Sequence, residues 1–204
     1  MELITKWLPY VLAGISVGGQ YALIAIGYTM VYGILRLINF AHGDMFMMAG
    51  LVMIYLVTVL PVWVSIIIVI AFTVVLGCTI ERVAYRPLRS APRMSIMISA
   101  IGVSYFLQNI ALYVTGGLTK TYPSIPFLQQ TVTVLGAHTK MVTVITPFLT
   151  IGLVVLLVLL INHTKIGMAM RAVSRDFETS ELMGIDINRV IAVTFVIGSF
   201  LAAV

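Results

Sequence analysis

Charge is scarce in this sequence. Of its 204 residues, 12 are Lys or Arg and 7 are Asp or Glu, 9% in all, where about 25% is usual in a soluble chain. So few charged side chains cannot clothe a water-facing surface of this size, which excludes an ordinary soluble domain. Disorder is excluded as well, because 61% of the residues are hydrophobic and disorder requires the opposite. Cysteine is almost absent. The single Cys78 permits no intrachain disulfide, and its apolar surroundings suit a small buried hydrophobe. No Gly-x-x-x-x-Gly-Lys-[Ser/Thr] segment occurs, so the chain cannot draw on ATP by itself. No nucleophile–base or metal-ligand constellation occurs either, which argues against an enzyme, and no cofactor is implied. The net charge of +5 comes from basic residues scattered between apolar runs. They read as orientation signals in a lipid bilayer, with no nucleic-acid partner.

What is present is length without charge. A helix needs about 20 apolar residues to cross a bilayer. Residues 7–35, 45–80, 94–119 and 141–164 carry no Asp, Glu, Lys or Arg. Lys6 is the only basic residue before a first run far longer than a signal-peptide core, so that run is read as a retained span. As one helix, 45–80 would measure about 54 Å against a hydrocarbon core of about 30 Å. Pro61 near its middle divides it into two short spans; the alternative is one tilted, kinked helix, which would reverse the side of the N-terminus. The spans expected are about 8–35, 45–60, 62–80, 94–119, 141–164 and 190–204. The fold class is all-α, a polytopic transmembrane helix bundle forming one domain. The last span stops at Val204 in mid-pattern, as a fragment of a longer protein would. Arg82, Arg86, Arg89 and Arg93 in one loop, and Lys165, Arg171, Arg175 and Arg189 in another, place both loops inside. Segment 120–140 then lies outside. Pro123 and Pro126 break helix there, and Thr131–Val134 and Val142–Val144 alternate about Gly136, which suits a small hairpin. A plain connector is favoured over a docking surface.

Four features bear on function. Gly14, Gly18 and Ala22 form one row of small residues at helical spacing, and Ala25, Thr29 and Gly33 form a second. Such rows let helices approach closely, so the first span is expected at the centre of a bundle. Next, Asn39, His42 and Asp44 lie within six residues, with Gly43 available to break a helix. Polar groups at this position belong either to a turn near a pathway or to a loop at the membrane surface. Third, Ser104 and Gln108 share a row with Ala100, and Asn109 follows Tyr105 on the next. These side chains suit a cavity wall or interhelical hydrogen bonds. By contrast, 151–161 is almost wholly Leu, Val and Ile and should face lipid.

The fourth feature is the loop 165–189. Asp176 is a good N-cap, Glu178 lies in the first turn and Gly184 is a good residue to end a helix. Phe177 to Met183 is therefore expected to form a two-turn helix, with Asp186 capping the next span. Leu182 and Met183 on such a helix can dock into the groove of another protein. Asp176, Glu178 and Glu181 disfavour an anionic lipid surface.

Several stretches together are similar to one family. Tyr21-Ala-Leu-Ile-Ala-Ile-Gly-Tyr-Thr-Met-Val-Tyr-Gly33, Ile38-Asn-Phe-Ala-His-Gly-Asp44, Ile80-Glu-Arg-Val-Ala-Tyr-Arg-Pro-Leu-Arg89, Ile98-Ser-Ala-Ile-Gly102, Phe106-Leu-Gln-Asn109 and Leu182-Met-Gly-Ile-Asp-Ile-Asn-Arg-Val-Ile-Ala-Val-Thr-Phe195 closely resemble the high-affinity branched-chain amino acid ABC transporter permeases of the LivH type. The resemblance implies a bacterial inner-membrane subunit, an apparent lack of the C-terminal third, and no enzymatic activity. It implies a second permease subunit, two cytoplasmic ATP-binding subunits and a periplasmic amino-acid-binding protein that delivers leucine, isoleucine or valine. The family's coupling loop corresponds to 171–189, which assigns ATPase coupling to Asp176, Phe177, Glu178, Glu181, Leu182, Met183 and Gly184. The Asn-Phe-Ala-His-Gly signature corresponds to 39–43. With it, Asn39, His42, Ser104, Gln108 and Asn109 are read as the substrate pathway, and Gly14, Gly18, Ala22 and Gly33 as helix packing. The competing class is an ion-coupled secondary transporter or channel subunit. It needs a buried carboxylate, and every acid except Asp44 falls at a loop or helix end; Asp44 itself borders a span.

Overall fold

The computed structural model describes residues 2–36, 38–89, 91–122, 129–134 and 137–204. Pro123, Pro126 and Gly136 lie outside the described residues. The helices are α1 (Glu2–Leu35), α2 (Ala41–Val57), α3 (Val62–Ile80), α4 (Arg93–Thr115), α5 (Met141–His163), α6 (Lys165–Arg175), α7 (Phe177–Leu182) and α8 (Ile187–Ala203). One antiparallel pair joins β1 (Thr131–Val134) to β2 (Ala137–Lys140). Residues 142–144 belong to α5, so the second strand lies earlier than their alternation suggested.

Four helices among the described residues are long and apolar enough to cross a membrane: Trp7–Leu35, Val62–Leu88, Met94–Thr115 and Met141–His163. Helices α2 and α8 are apolar but have 17 residues each. Pro61 stands between α2 and α3 with an extended ψ of 144°, so the run 45–80 is two helices. Beyond Ile80 the chain tightens through a π turn, Glu81–Tyr85, and a 3-10 turn, Arg86–Leu88. Helix α4 stops earlier than its uncharged run, because Gly116 and Gly117 adopt left-handed φ values of 65° and 73°.

Helix α8 packs at the centre, between α1, α3 and α2. Small residues make this closeness feasible. A Cβ on Gly77 of α3 would overlap Ser199 Oγ of α8. One on Gly198 would lie 3.5 Å from the Gly27 carbonyl of α1. The buried hydroxyls Thr73, Thr194 and Ser199 donate to carbonyls one turn earlier in their own helices, at 2.8, 2.7 and 2.6 Å. They are thus satisfied without a partner helix. The largest apolar cluster joins Val31, Ile34, Met45, Tyr85, Ile191 and Phe195.

Two expectations need correction. Gly14, Gly18, Ala22 and Gly33 are exposed, and no atom of the described residues lies within 4 Å of a Cβ built on Gly14, Gly18 or Gly33. Helix α1 packs inside this chain through the adjacent row, Gly19, Leu23, Gly27 and Val31. That row meets Thr150 at Gly19 and His42 at Gly27, where a Cβ would lie 2.9 and 2.8 Å from side-chain atoms. One residue along a helix is a rotation of about 100°, enough to exchange the buried row for the exposed one. Second, Gly43 breaks no helix. Helix α2 begins at Ala41, and the break falls at residues 36–40, where Arg36 takes a left-handed φ of 52°.

This break starts α2 deep in the bundle. His42 packs against Gly27 and Gly198. Gly27 lies about 12 Å before the end of α1, and Gly198 about 16 Å after the start of α8. Gly77→Ala is expected to lower the thermal stability of the detergent-purified protein by roughly 1–3 kcal/mol through overpacking, despite alanine's better helix propensity. Gly14→Ala, with open space around it, is expected to leave stability equal or higher; equal melting of both variants would contradict this packing.

Candidate functional site

Polar groups collect in two places. The first is the buried start of α2. Asn39 is 1% exposed. Its side-chain oxygen accepts the Ala41 N–H at 3.1 Å and the Tyr85 hydroxyl at 2.9 Å. Its backbone carbonyl accepts the His42 N–H at 3.2 Å. The first turn of α2 is therefore held by one asparagine and one tyrosine. His42, also 1% exposed, tilts against the Tyr28 ring at 6.3 Å, and neither of its ring nitrogens meets a hydrogen-bond partner of good geometry among the described residues. Two residues on, and so on the opposite side of α2, Asp44 Oδ1 accepts from Gln108 Nε2 at 3.0 Å. The same Nε2 donates to Ser104 Oγ at 3.2 Å. Asp44 Oδ2 is buried and has no hydrogen-bond partner among the described residues.

Of the pathway residues read from the sequence, Ser104 and Gln108 thus meet each other and meet Asp44. Asn39 and His42 face other helices instead. Asn109 donates to its own helix at the Tyr105 carbonyl, at 2.7 Å, and lines an outer groove with Phe106 and Tyr113. Sequence reasoning missed Tyr85, which carries no local signal for its role. It also undervalued Asp44, whose signal was a carboxylate flanking an apolar run. Among the described residues, no group of three His, Cys, Asp or Glu side chains could hold a metal ion.

The second place is the end of the bundle that carries the basic loops. Helix α6 was not anticipated. Its signals are Thr164, whose hydroxyl accepts the Gly167 N–H at 3.0 Å, and Gly167, where a Cβ would collide with the Ile161 carbonyl at the tight corner from α5. Asp176 caps α7: its Oδ1 accepts the N–H groups of Glu178 and Thr179 at 3.0 and 3.3 Å, and its other oxygen takes the Thr179 hydroxyl. Helix α7 ends at Leu182, one residue earlier than expected. Gly184 then takes φ 81°, its N–H reaching the Glu181 carbonyl at 2.9 Å while that of Ile185 reaches Ser180 at 3.1 Å. Ser180 is buried, whereas Leu182 is 88% and Met183 79% exposed.

The surroundings fix this helix to the bundle. Phe177 and Glu181 line a cavity of about 320 Å³ with Leu35, Tyr85, Arg89 and Asn188. Arg89 bonds both the Glu81 carboxylate and the Asn188 side chain, joining the end of α3 to the start of α8. The Arg36 guanidinium donates to the Ser174 and Arg175 carbonyls at 3.3 and 3.2 Å, satisfying the end of α6. The Thr179 hydroxyl and N–H, then the Glu178 N–H and the Arg36 charge, hold the Asp176 carboxyl below its ordinary value. A depressed carboxylate stabilises the cap above its unfolded pKa of about 3.9 and loses that contribution as pH falls through the lower folded value. Asp176→Ala is expected to speed amide hydrogen exchange across Glu178–Ile185 at neutral pH. In the parent protein, after correction for intrinsic rates, the same loss should begin only in acid below that range. Equal protection in both proteins at neutral pH would contradict the cap.

The chain matches the family described as branched-chain amino acid transport system / permease component over residues 10–204. It is 38% identical over 217 residues to the high-affinity branched-chain amino acid transport system permease protein BraD of Pseudomonas aeruginosa, covering 100% of this chain and 71% of that protein. It is 38% identical over 222 residues to the corresponding permease protein LivH of Salmonella typhimurium, covering 100% of this chain and 70% of that protein. Similarity to the xylose/arabinose import permease protein XylH of Sulfolobus acidocaldarius is narrower, 28% over 106 residues, covering 52% of this chain and 27% of that protein. No solved structure matches the chain. A family match from residue 10 to 204, with relatives of this identity along the whole sequence, means that the chain belongs to the branched-chain amino acid transport system permeases and is a multi-pass membrane protein.

Proposed function

We propose that this chain is the membrane-spanning subunit of an ATP-driven importer that takes up leucine, isoleucine or valine by alternating access in a bacterial inner membrane. Helices α1, α2, α3, α4, α5 and α8 are the spans. The end bearing Arg82, Arg86, Arg89, Arg171, Arg175 and Arg189 faces the cytoplasm. Leu35 shares a cavity with Arg89 and Phe177 at that end, so α1 begins outside. ATP is bound and hydrolysed by two cytoplasmic partner subunits. A periplasmic binding protein supplies the amino acid, and a second permease subunit completes the pathway between the two membrane subunits. The observation that carries this reading is α7. It is short, closed at both ends by Asp176 and Gly184, and presents Leu182 and Met183 almost bare to solvent on the basic side. Apolar residues on a fixed helix, away from the bilayer, fit the groove of a protein. Asp176, Phe177, Glu178, Glu181, Leu182, Met183 and Gly184 form the coupling element. Ser104 and Gln108, which meet beside Asp44, belong to the pathway wall; Asn39 and His42 support the start of α2, and Asn109 faces the outer groove. The exposed row Gly14, Gly18, Ala22 and Gly33 is available for close packing by another membrane helix.

One observation favours a second reading, ion-coupled secondary transport: Asp44 is a buried carboxylate. Gradient-driven uptake by the permease subunits without ATPase subunits would support that reading instead. For the importer, Gly184→Val forces a β-branched residue into the left-handed region, at a cost of roughly 1–2 kcal/mol. Both ATP-driven uptake and co-purification of the ATPase subunits are expected to fall in the full-length complex. Leu182→Glu, which leaves the backbone unstrained, is expected to do the same. Unchanged uptake and unchanged co-purification in both variants would remove the coupling assignment.

A further inference from the structure

A cavity of about 320 Å³ lies between α7 and the bundle. Ligand pockets span about 300–1,000 Å³, so this one suits a molecule at the small end of that range. Its lining is graded. Tyr85, Ile96 and Ile191 are buried and form the floor, whereas Glu181 and Asn188 are exposed and stand at the mouth. The Tyr85 hydroxyl is engaged by Asn39, so the floor offers a ring and two aliphatic side chains. Arg89 is half-buried and bonds the Asn188 side chain. An apolar interior with a few polar groups at its opening is the make-up of a small-molecule site.

The two charges in this lining do not neutralise each other. Arg89 is paired with Glu81, and Glu181 has no cation within 4 Å among the described residues. The guanidinium spends one N–H of each terminal nitrogen, on Asn188 and on Glu81, and each nitrogen keeps a second. Its Nε is enclosed by protein and takes no part. N–H donors and a free carboxylate around one apolar space match a zwitterion with an apolar tail. The ligand carboxylate would meet Arg89, its ammonium group Glu181, and its tail the floor. A branched-chain amino acid is such a molecule, and on the importer reading it is released at this end.

The cavity also lies where a ligand can act. Phe177 and Glu181 are one turn apart and line it from the inner side of α7, while Leu182 and Met183 are exposed. An occupant therefore touches α7, the turn that carries Arg89 and the start of α8 at once. A ligand that binds one arrangement of these elements favours it over any other.

We infer that this cavity is a cytoplasmic site for the imported amino acid, and that its occupation holds α7 in place and slows further uptake. The inference rests on the importer reading and adds inhibition by the product to it.

The test uses the full-length complex with its ATPase subunits in proteoliposomes. These hold ATP and an unlabelled amino acid, with the binding protein and labelled leucine outside. Absence of ATP-dependent leucine uptake by the parent complex would defeat the importer reading, and this site with it. Given uptake, internal leucine is expected to slow the initial rate severalfold relative to internal lysine, whose charged tail does not suit the floor. Equal rates would overturn the site and leave the importer reading standing. Faster uptake over internal leucine would mean exchange, the behaviour of a secondary transporter, and would overturn both. Ile187→Trp fills the cavity from the first residue of α8, outside the coupling element. It is expected to keep parent uptake over internal lysine and to lose the slowing by leucine. Glu181→Gln, at an exposed position, serves if Ile187→Trp fails to assemble. Measured against its own rate over lysine, it is expected to need about tenfold more internal leucine for the same slowing, the scale of one lost charge-assisted hydrogen bond. Undiminished slowing in either assembled variant would place the action of leucine elsewhere and overturn the site.

Discussion

A helix that begins inside a bilayer must find partners for its first N–H groups without water. In this permease that demand falls on Asn39. Its amide oxygen takes the Ala41 N–H and the Tyr85 hydroxyl together, and its carbonyl takes the His42 N–H. The rest of the polar interior follows from this arrangement. With α2 starting at depth, His42 lies between Gly27 and Gly198, and Asp44 comes to rest beside Gln108. Were α2 to start at the membrane surface, these side chains would be hydrated and ordinary.

The same segment connects the interior to the loop end. Arg36, immediately before the break, takes a left-handed backbone conformation that costs a non-glycine residue about 1–3 kcal/mol. Its guanidinium bonds to the last carbonyls of α6 help offset that cost. Those carbonyls directly precede the Asp176 cap of α7. Tyr85, which bonds Asn39, belongs to the same turns as Glu81 and Arg89, and Arg89 reaches Asn188 at the start of α8. Arg36 thus ties the end of α6, next to the Asp176 cap, to the segment that leads into α2, and Tyr85 ties the turns after α3 to the start of α2.

How much of this was legible in the sequence depended on how local each signal was. The α7 cap, the Gly184 exit and the Pro61 turn are decided by residues within one turn of each other, and they stand in the structure where the sequence places them. Gly14, Gly18 and Ala22 were misjudged because small residues alone do not say which side of a helix meets a neighbour. Gly27 and Gly19 were chosen by contact with His42 and Thr150, residues distant in sequence. The depth of Asn39 was hidden for the same reason: its stabilising donor, Tyr85, is 46 residues away. Asp44 was readable as an odd charge, but its burial depends on α4 packing beside α2.

The central claim is that residues 39–44 lie within the hydrocarbon region. Electron paramagnetic resonance can read this directly. A nitroxide at Gly43→Cys, in the full-length complex with Cys78 replaced by Ser, is compared with one at Arg36→Cys for collision with oxygen and with a water-soluble nickel chelate. The account predicts that the label at 43 sits about 10 Å or more deeper in the bilayer than the label at 36. Labels at both positions reporting headgroup depth would contradict it.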